Sequence, residues 1–299
     1  MQDKYFLREW EGSLQSLSMN VIEQLQVHFH PGPTSSGATS SAPAIWQEEA
    51  TTVAHFKGLE LHSYFQPLFY ANNLTPYAHE ALLRPRLPGE AQFQAPNQAF
   101  ELAGSASEAI YLDRLCRVLH AMNFVGQPTS GKYLFLNVSA QHLQSVSSNH
   151  GHAFEALLAI CGLRPQQVVL EILEARVEGL EQLQSAVESW RQRGFQIAID
   201  DFGCQHSNFD RLWQLTPDIV KLDRQLIHHA EHNPRAGIIL PKLIDMIHDL
   251  GASVVCEGIE TEVQHLRCVD AGADVLQGFF YARPAAQLFH TPSMHSSTI

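Results

Sequence analysis

Five short apolar runs along the chain each end in a residue able to hold a metal ion or handle a proton. Phe135-Leu136 leads into Asn137, Val168-Val169-Leu170 into Glu171, Ile197-Ala198-Ile199 into Asp200 and Asp201, Ile219-Val220 into Lys221, and Val254-Val255-Cys256 into Glu257. Runs this short and this rich in β-branched residues, separated by helix-like stretches, read as buried parallel strands. The pattern predicts strands near 132–138, 167–172, 195–200, 218–222, 252–257 and 274–277. Between them lie segments of helical periodicity, several ending in a glycine stop: Gly162, Gly194, Gly251 and Gly272. Upstream, LHSYFQPLFY (61–70) and PYAHEALLR (76–84) read as two strands joined by a turn at Asn72-Asn73, so the sheet opens with an antiparallel pair. A helical stretch near 97–122 follows.

About eight strands with interleaved helices predict an α/β fold, a closed (β/α)8 TIM-like barrel with one antiparallel strand near its start. No glycine-rich phosphate fingerprint follows any strand, which counts against a dinucleotide-binding open sheet. In a parallel barrel the C-terminal strand ends converge on one face, where the active site sits. Polar groups at that end of five strands therefore gather round one pocket, a desolvation cost that structure alone does not require.

Ahead of the barrel, residues 4–27 carry Leu7, Trp10, Leu14, Leu17 and Val21 at helical spacing, with Ile22 and Leu25 alongside. This stripe reads either as a helix packed on its own domain or as a coiled-coil-like contact with a protein partner. PGPTSSGATSSAP (31–43) reads as a flexible linker. The expected organisation is an N-terminal helical segment (1–30), a linker and lead-in (31–58), the barrel (59–290) and a tail (291–299).

Composition narrows the chemistry. A formal net charge of −12 argues against nucleic-acid binding, and a carboxylate cluster repels an anionic substrate unless cations intervene. No apolar run approaches the roughly 20 residues that span a bilayer, and the start, MQDKYFLREWEG, lacks a signal-peptide pattern. Five cysteines without C-x-x-C spacing suggest reduced thiols in a cytoplasmic protein. The strand-end inventory is Glu80, Asn137, Glu171, Asp200, Asp201, Lys221, Glu257 and Gln277. Taken singly, each acid reads as a solvated loop residue; together, at one phase of the strand repeat, they read as a site. Its ligand atoms are hard oxygens that suit Mg²⁺ or Mn²⁺ rather than zinc. There are enough carboxylates for two ions, a device for phosphodiester cleavage when the ions sit about 4 Å apart. A lysine among barrel carboxylates also fits an enolase-like site, so the reaction stays open on these residues alone.

Longer motifs discriminate. Gln66-Pro67 is followed by Glu80-Ala81-Leu82 inside HEALLR, Asn137 inside LNVS, and Glu171 and Glu174 inside LEILE. Then come DDFG (200–203), KLD (221–223), EGIET (257–261), QGFF (277–280) and ARP (282–284). In this ordered set the chain resembles the EAL-domain family of cyclic di-GMP phosphodiesterases over roughly residues 59–290. The resemblance implies hydrolysis of cyclic di-GMP to linear pGpG on two Mg²⁺ or Mn²⁺ ions. It makes Glu80, Asn137, Glu171 and Asp200 the ligands of one ion, and Asp200, Asp201 and Glu257 the surroundings of the second. Lys221 matches a lysine that holds the attacking water, Gln277 a water-binding glutamine, and Glu174 a glutamate supporting the loop after DDFG. Gln66, Arg84, Glu260 and Pro284 match positions lining the dinucleotide. The resemblance also implies a homodimer.

Two positions depart from the family pattern. Cys204-Gln205-His206 replaces a glycine-containing loop, removing a residue that accepts φ > 0 easily. Pro85 stands where tryptophan often follows the arginine, a change expected to alter packing beside the substrate. The rival reading is a silent receptor that binds cyclic di-GMP and signals through a partner; the complete ligand set favours catalysis. A pure interaction module has no use for Lys221 or Gln277.

Overall fold

The structure, a computed structural model, describes residues 21–29, 44–139, 151–173, 180–203 and 209–290. The first elements are α1 (Val21–His28), β1 (Ile45–Glu48), β2 (Thr51–Phe56), β3 (Leu59–Tyr70) and β4 (Pro76–Arg86), followed by α2 (Pro96–Glu101) and α3 (Ala106–Val125). The alternation then runs β5 (Tyr133–Val138), α4 (His152–Cys161), β6 (Val168–Leu173), α5 (Leu180–Gln192), β7 (Gln196–Phe202), α6 (Asp210–Leu215) and β8 (Ile219–Leu222). It ends with α7 (Arg224–His232), α8 (Pro234–Asp249), β9 (Ser253–Cys256), α9 (Glu262–Asp270) and β10 (Val275–Leu276).

Among the described residues, eight strands close into a barrel in the order β3-β10-β9-β8-β7-β6-β5-β4, with β4 returning to β3. β4 to β10 run parallel, while β3 is antiparallel to both β4 and β10. This is the barrel with one antiparallel strand expected from the pattern. The four glycine stops all sit at positive φ, from 84° to 94°. The expected helix near 97–122 is two helices, because Ser105 accepts a hydrogen bond from Glu108 N and starts α3 afresh.

The stretch read as lead-in holds a hairpin. β1 pairs with β2, and β2 with the start of β3. Val53, Ala54 and Phe56 are buried there, at a spacing too short and irregular to flag from sequence. The described end of the N-terminal segment packs on its own domain. Leu25 and Phe29 are buried in the main core, Gln26 Nε2 donates to Ile45 O at 3.0 Å, and Tyr111 Oη donates to Phe29 O at 3.0 Å. Residues 1–20 and the linker at 31–43 lie outside the described residues.

The core has two compartments. The larger fills the space between strands and helices. The smaller lies inside the barrel and takes one residue from each strand: Leu68, Ala78, Phe135, Val169, Ala198, Ile219, Val255 and Val275. This apolar layer makes the barrel a packed floor rather than a pore. Side chains alternate along a strand, so the residue two positions onward faces the same interior, one layer higher. Those residues are Glu80, Asn137, Glu171, Asp200, Lys221, Glu257 and Gln277. On antiparallel β3, the residue two positions back is Gln66, paired with Glu80.

Candidate active site at the barrel mouth

Lys221 sits at the centre of the polar layer, 1% exposed on β8. Its Nζ lies 2.5 Å from Glu257 Oε1, 3.1 Å from Asp200 Oδ1 and 3.5 Å from Glu80 Oε2, and it is in contact with Glu171 Oε1. Burial opposes the lysine's charge, but Asp200, Glu171, Glu257 and Glu80 together hold its pKa well above the ordinary value. Glu171, with no exposed surface, has its pKa raised by burial and then by Glu80. Glu257 is raised by burial, against the pull of Lys221. Asn137 Nδ2 donates to Glu171 Oε2 at 3.0 Å, and Gln277 Nε2 donates to Glu80 Oε2 at 2.7 Å.

Adjacent strand residues normally point to opposite faces, so Asp200 and Asp201 should not share a pocket. The backbone resolves this. The β7–β8 register shifts between Ile199 and Phe202, and Asp201 adopts φ 58°, a left-handed conformation uncommon for a residue with a side chain. The kink brings carboxylate oxygens of Asp200, Asp201 and Glu257 within 4.8 Å of one another. Glu80, Glu171 and Glu257 make a second such group, sharing Glu257. The Asp201 carboxyl is pushed up to about 6, by burial first and then by Asp200 and Asp223.

This chemistry fits divalent cations. Five carboxylates face one ammonium. Glu171 Oε1, Asp200 Oδ1 and Glu257 Oε1 are buried without a hydrogen bond and have Lys221 Nζ as their ionic neighbour. Buried charge of one sign needs a counter-charge, and an all-oxygen donor set suits a hard cation.

Above the carboxylates opens a cavity of about 280 Å³. Of the residues singled out from sequence, Gln66, Glu80, Asp201, Glu257, Glu260 and Gln277 line it. Glu171, Asp200 and Lys221 lie beneath. Gln66 is held by a 3.2 Å bond from its Nε2 to Ala282 O, and Pro284 precedes Ala285, which bridges to Phe65. Arg84 lies farther out, beyond the cavity lining. Glu174 and the loop at 204–206 fall outside the described residues. Pro85 is buried and pairs with Leu61 on the face turned away from the cavity, so the expected change beside the substrate is not there. Leu82, Asp223, Arg224 and Phe279 also line the cavity but were given no role from sequence. Leu82, Asp223 and Phe279 stood inside the Glu80-Ala81-Leu82, KLD and QGFF motifs, which was the available signal. Gly278 is a steric requirement of this wall: a Cβ there would lie 2.0 Å from Ile259 O.

Residues 49–284 match the EAL domain family. Among curated proteins, the chain is 32% identical over 165 residues to the cyclic di-GMP phosphodiesterase RocR of Pseudomonas aeruginosa, covering 54% of this chain and 40% of RocR. The manganese/cy-diGMP complex of Klebsiella pneumoniae BlrP1 superposes with TM-score 0.67 at 26% identity, covering 81% of this chain and 60% of that one. Bacillus subtilis YkuI, in complex with c-di-GMP and calcium, gives TM-score 0.66 at 26% identity over 77% of this chain and 57% of that one. The chain spans about half or less of the length of the curated relatives it matches. Among the described residues, no helix is long and apolar enough to cross a membrane.

Proposed function

The chain belongs to the EAL domain family, and from that premise we propose that it is a divalent-cation-dependent phosphodiesterase that hydrolyses cyclic di-GMP to linear pGpG. The observation that carries this reading is the layer of carboxylates at one height of the barrel, with Lys221 buried at its centre. Glu80, Asn137, Glu171 and Asp200 are the proposed ligands of one ion, Asp200, Asp201 and Glu257 those of a second. Mg²⁺ or Mn²⁺ bound there supplies positive charge for the phosphate and lowers the pKa of water. Lys221 is the proposed residue that orients the attacking water, through an ammonium that lies against four carboxylates. It is a poor general base, because those acids keep it protonated. Gln277, fixed on Glu80, is proposed to hold water at the same height. Water adds to one phosphodiester, one P–O bond breaks, and the ring opens. Gln66, Arg84, Glu260 and Pro284 are proposed to line the dinucleotide, and Glu174 to support the loop after DDFG. A homodimer and a cytoplasmic setting belong to the same proposal, as the resemblance and the free buried cysteines suggest.

The test is incubation with cyclic di-GMP, with and without Mn²⁺, with products resolved by chromatography and Glu80→Ala as control. The expected result is metal-dependent pGpG, with the variant reduced to a few per cent of wild type or less under saturating metal. Binding without cleavage at any metal concentration would support the silent receptor instead. A folded Glu80→Ala protein of near wild-type rate would sink the ligand assignment.

A further inference from the structure

The loop that joins β9 to α9, residues 257–261, carries Glu257 of the carboxylate layer and Glu260 at the cavity. A loop has no ladder of its own, so its backbone N–H groups must find partners one by one. Glu257 N donates to Leu222 O at 3.1 Å and Ile259 N donates to Gln277 O at 3.1 Å, which ties the start of the loop to β8 and to the end of β10. The last two donors go elsewhere. Glu260 N and Thr261 N both donate to one side-chain oxygen, Gln264 Oε1, at 2.7 and 3.3 Å.

Gln264 stands at the third position of α9, where a glutamine or a glutamate closes the start of a helix onto the N-cap residue. Thr261 is that residue, and its Oγ1 accepts in return from Gln264 N at 3.1 Å. Two features go beyond a helix cap. The shorter bond falls on Glu260, one residue before the cap. The Gln264 side chain, buried under the loop, also reaches a second helix: its Nε2 donates to Glu231 Oε2 of α7 at 2.7 Å, while Thr261 Oγ1 donates to Glu231 Oε1 at 3.5 Å. A carboxylate only accepts, so Glu231 fixes which end of the amide faces it and turns the carbonyl toward Glu260. The same helix meets the loop again at its first residue, where a Cβ on Gly258 would lie 2.2 Å from Arg224 Cβ. Arg224 and the preceding Asp223 both line the cavity.

We propose that Glu231 and Gln264 are positioning residues that clamp Glu260 at the cavity from α7, the helix that follows the strand of Lys221; the proposal rests on the cyclic di-GMP reading above. The ionised acceptor strengthens the bond between them, and burial of Gln264 keeps it strong. A cap alone would accept glutamate at position 264, because glutamate serves this helix position as well as glutamine and its charge suits a helix N-terminus. The clamp would not, since two carboxylates would then face each other at hydrogen-bond distance. Gln264→Glu combined with Glu231→Gln restores the fit with the bond reversed. The new amide donates to the new carboxylate, whose other oxygen still accepts from Glu260 N and Thr261 N.

The experiment measures kcat and KM for cyclic di-GMP at saturating Mn²⁺ in wild type, Gln264→Glu, Glu231→Gln and the double variant, with circular dichroism to confirm folding. Hydrogen–deuterium exchange over residues 257–264, read by mass spectrometry, follows the loop without any reaction. Gln264→Glu should raise KM about 10-fold, the scale of one hydrogen bond, and speed exchange in the loop. Its kcat should stay within about threefold, because Glu257 keeps its own bond to β8. Glu231→Gln leaves an acceptor for the Gln264 amide and should change KM by about threefold or less. The double variant should return both KM and exchange to within about twofold of wild type. A folded Gln264→Glu enzyme with KM within about twofold of wild type and unaltered exchange is what a helix cap alone gives, and it overturns the proposal. A double variant as impaired as Gln264→Glu overturns it too. If Gln264→Glu does not fold, the double variant carries the test, and its failure to fold overturns the clamp. A wild type that neither binds nor cleaves cyclic di-GMP overturns the phosphodiesterase reading, and exchange in the same variants still decides whether the clamp holds the loop.

Discussion

Replacing Lys221 by methionine removes the cation that the structure buries among four carboxylates. At an effective dielectric of about 20, one unit charge 3.1 Å from another, the Lys221–Asp200 distance, is attracted by about 5 kcal/mol. Burial and mutual repulsion already raise Glu171 and Glu257 above the ordinary carboxylate range beside the lysine. Without the ammonium the remaining negative charge is less tolerable still, and the least costly relief is for one further acid to take up a proton. A carboxyl of ordinary pKa 4.5 costs about 1.4 kcal/mol per pH unit to protonate above that value, hence about 4 kcal/mol at pH 7.5 and about 1.4 kcal/mol at pH 5.5. The upper figure agrees with the roughly 3–5 kcal/mol lost when one partner of a buried pair is removed. The direction follows from linkage. In the variant, the folded-state pKa of that acid rises above its unfolded value, so the folded state holds the extra proton between the two values. The deficit therefore shrinks as pH falls toward 4.5. Urea unfolding of both proteins with chelator at pH 7.5 and 5.5 measures it, since other titrating groups cancel in the difference. Added Mn²⁺ should narrow the gap at pH 7.5 by supplying the missing charge. A deficit below 1 kcal/mol, or one equal at both pH values, would show that the lysine's charge is not what keeps the remaining acids ionised.

Further outcomes are expected elsewhere in the molecule. His79 and His120 are buried with pKa values pushed down to about 4 and about 3 by desolvation. The unfolded chain therefore binds more protons, and wild-type stability should fall by about 2 kcal/mol per histidine between pH 6.5 and 5; ring-proton NMR showing either residue titrating near 6.5 would refute this. Gly278→Ala forces a Cβ against the backbone of Ile259 and should cost about 1–3 kcal/mol while displacing Gln277 and lowering hydrolysis, as unfolding curves and rate assays would reveal. Deleting residues 1–43 removes Leu25 and Phe29 from the core and should lower stability by about 3–6 kcal/mol while circular dichroism still reports a folded barrel; a change under 1 kcal/mol would mean that α1 contributes nothing.

Much of the site was legible because a strand has a period of two. An apolar residue on the barrel floor and a polar residue two positions on are both visible in the sequence, and six strands repeat that pair, from Phe135 and Asn137 to Val275 and Gln277. β4 carries the same pair, Ala78 and Glu80, but its alternation is blurred by the buried outer residues Ala81 and Leu83. The β1–β2 hairpin was hidden because short strands beside a polar, proline- and serine-rich stretch leave no strong period to read.

By itself, then, the sequence determined the barrel class, the antiparallel opening and the set of acids and amides that face the mouth, since each follows from alternation along single strands. Only the tertiary structure decided what depends on contacts between strands. It kinks β7 so that Asp200 and Asp201 share one pocket against the usual alternation. It buries Lys221 among acids drawn from four other strands. It sets Glu231 of α7 against Gln264 of α9, whose amide carbonyl holds the backbone of Glu260 beside the cavity. Register, bulges and long-range neighbours are set by the packing of distant segments, and no local period encodes them.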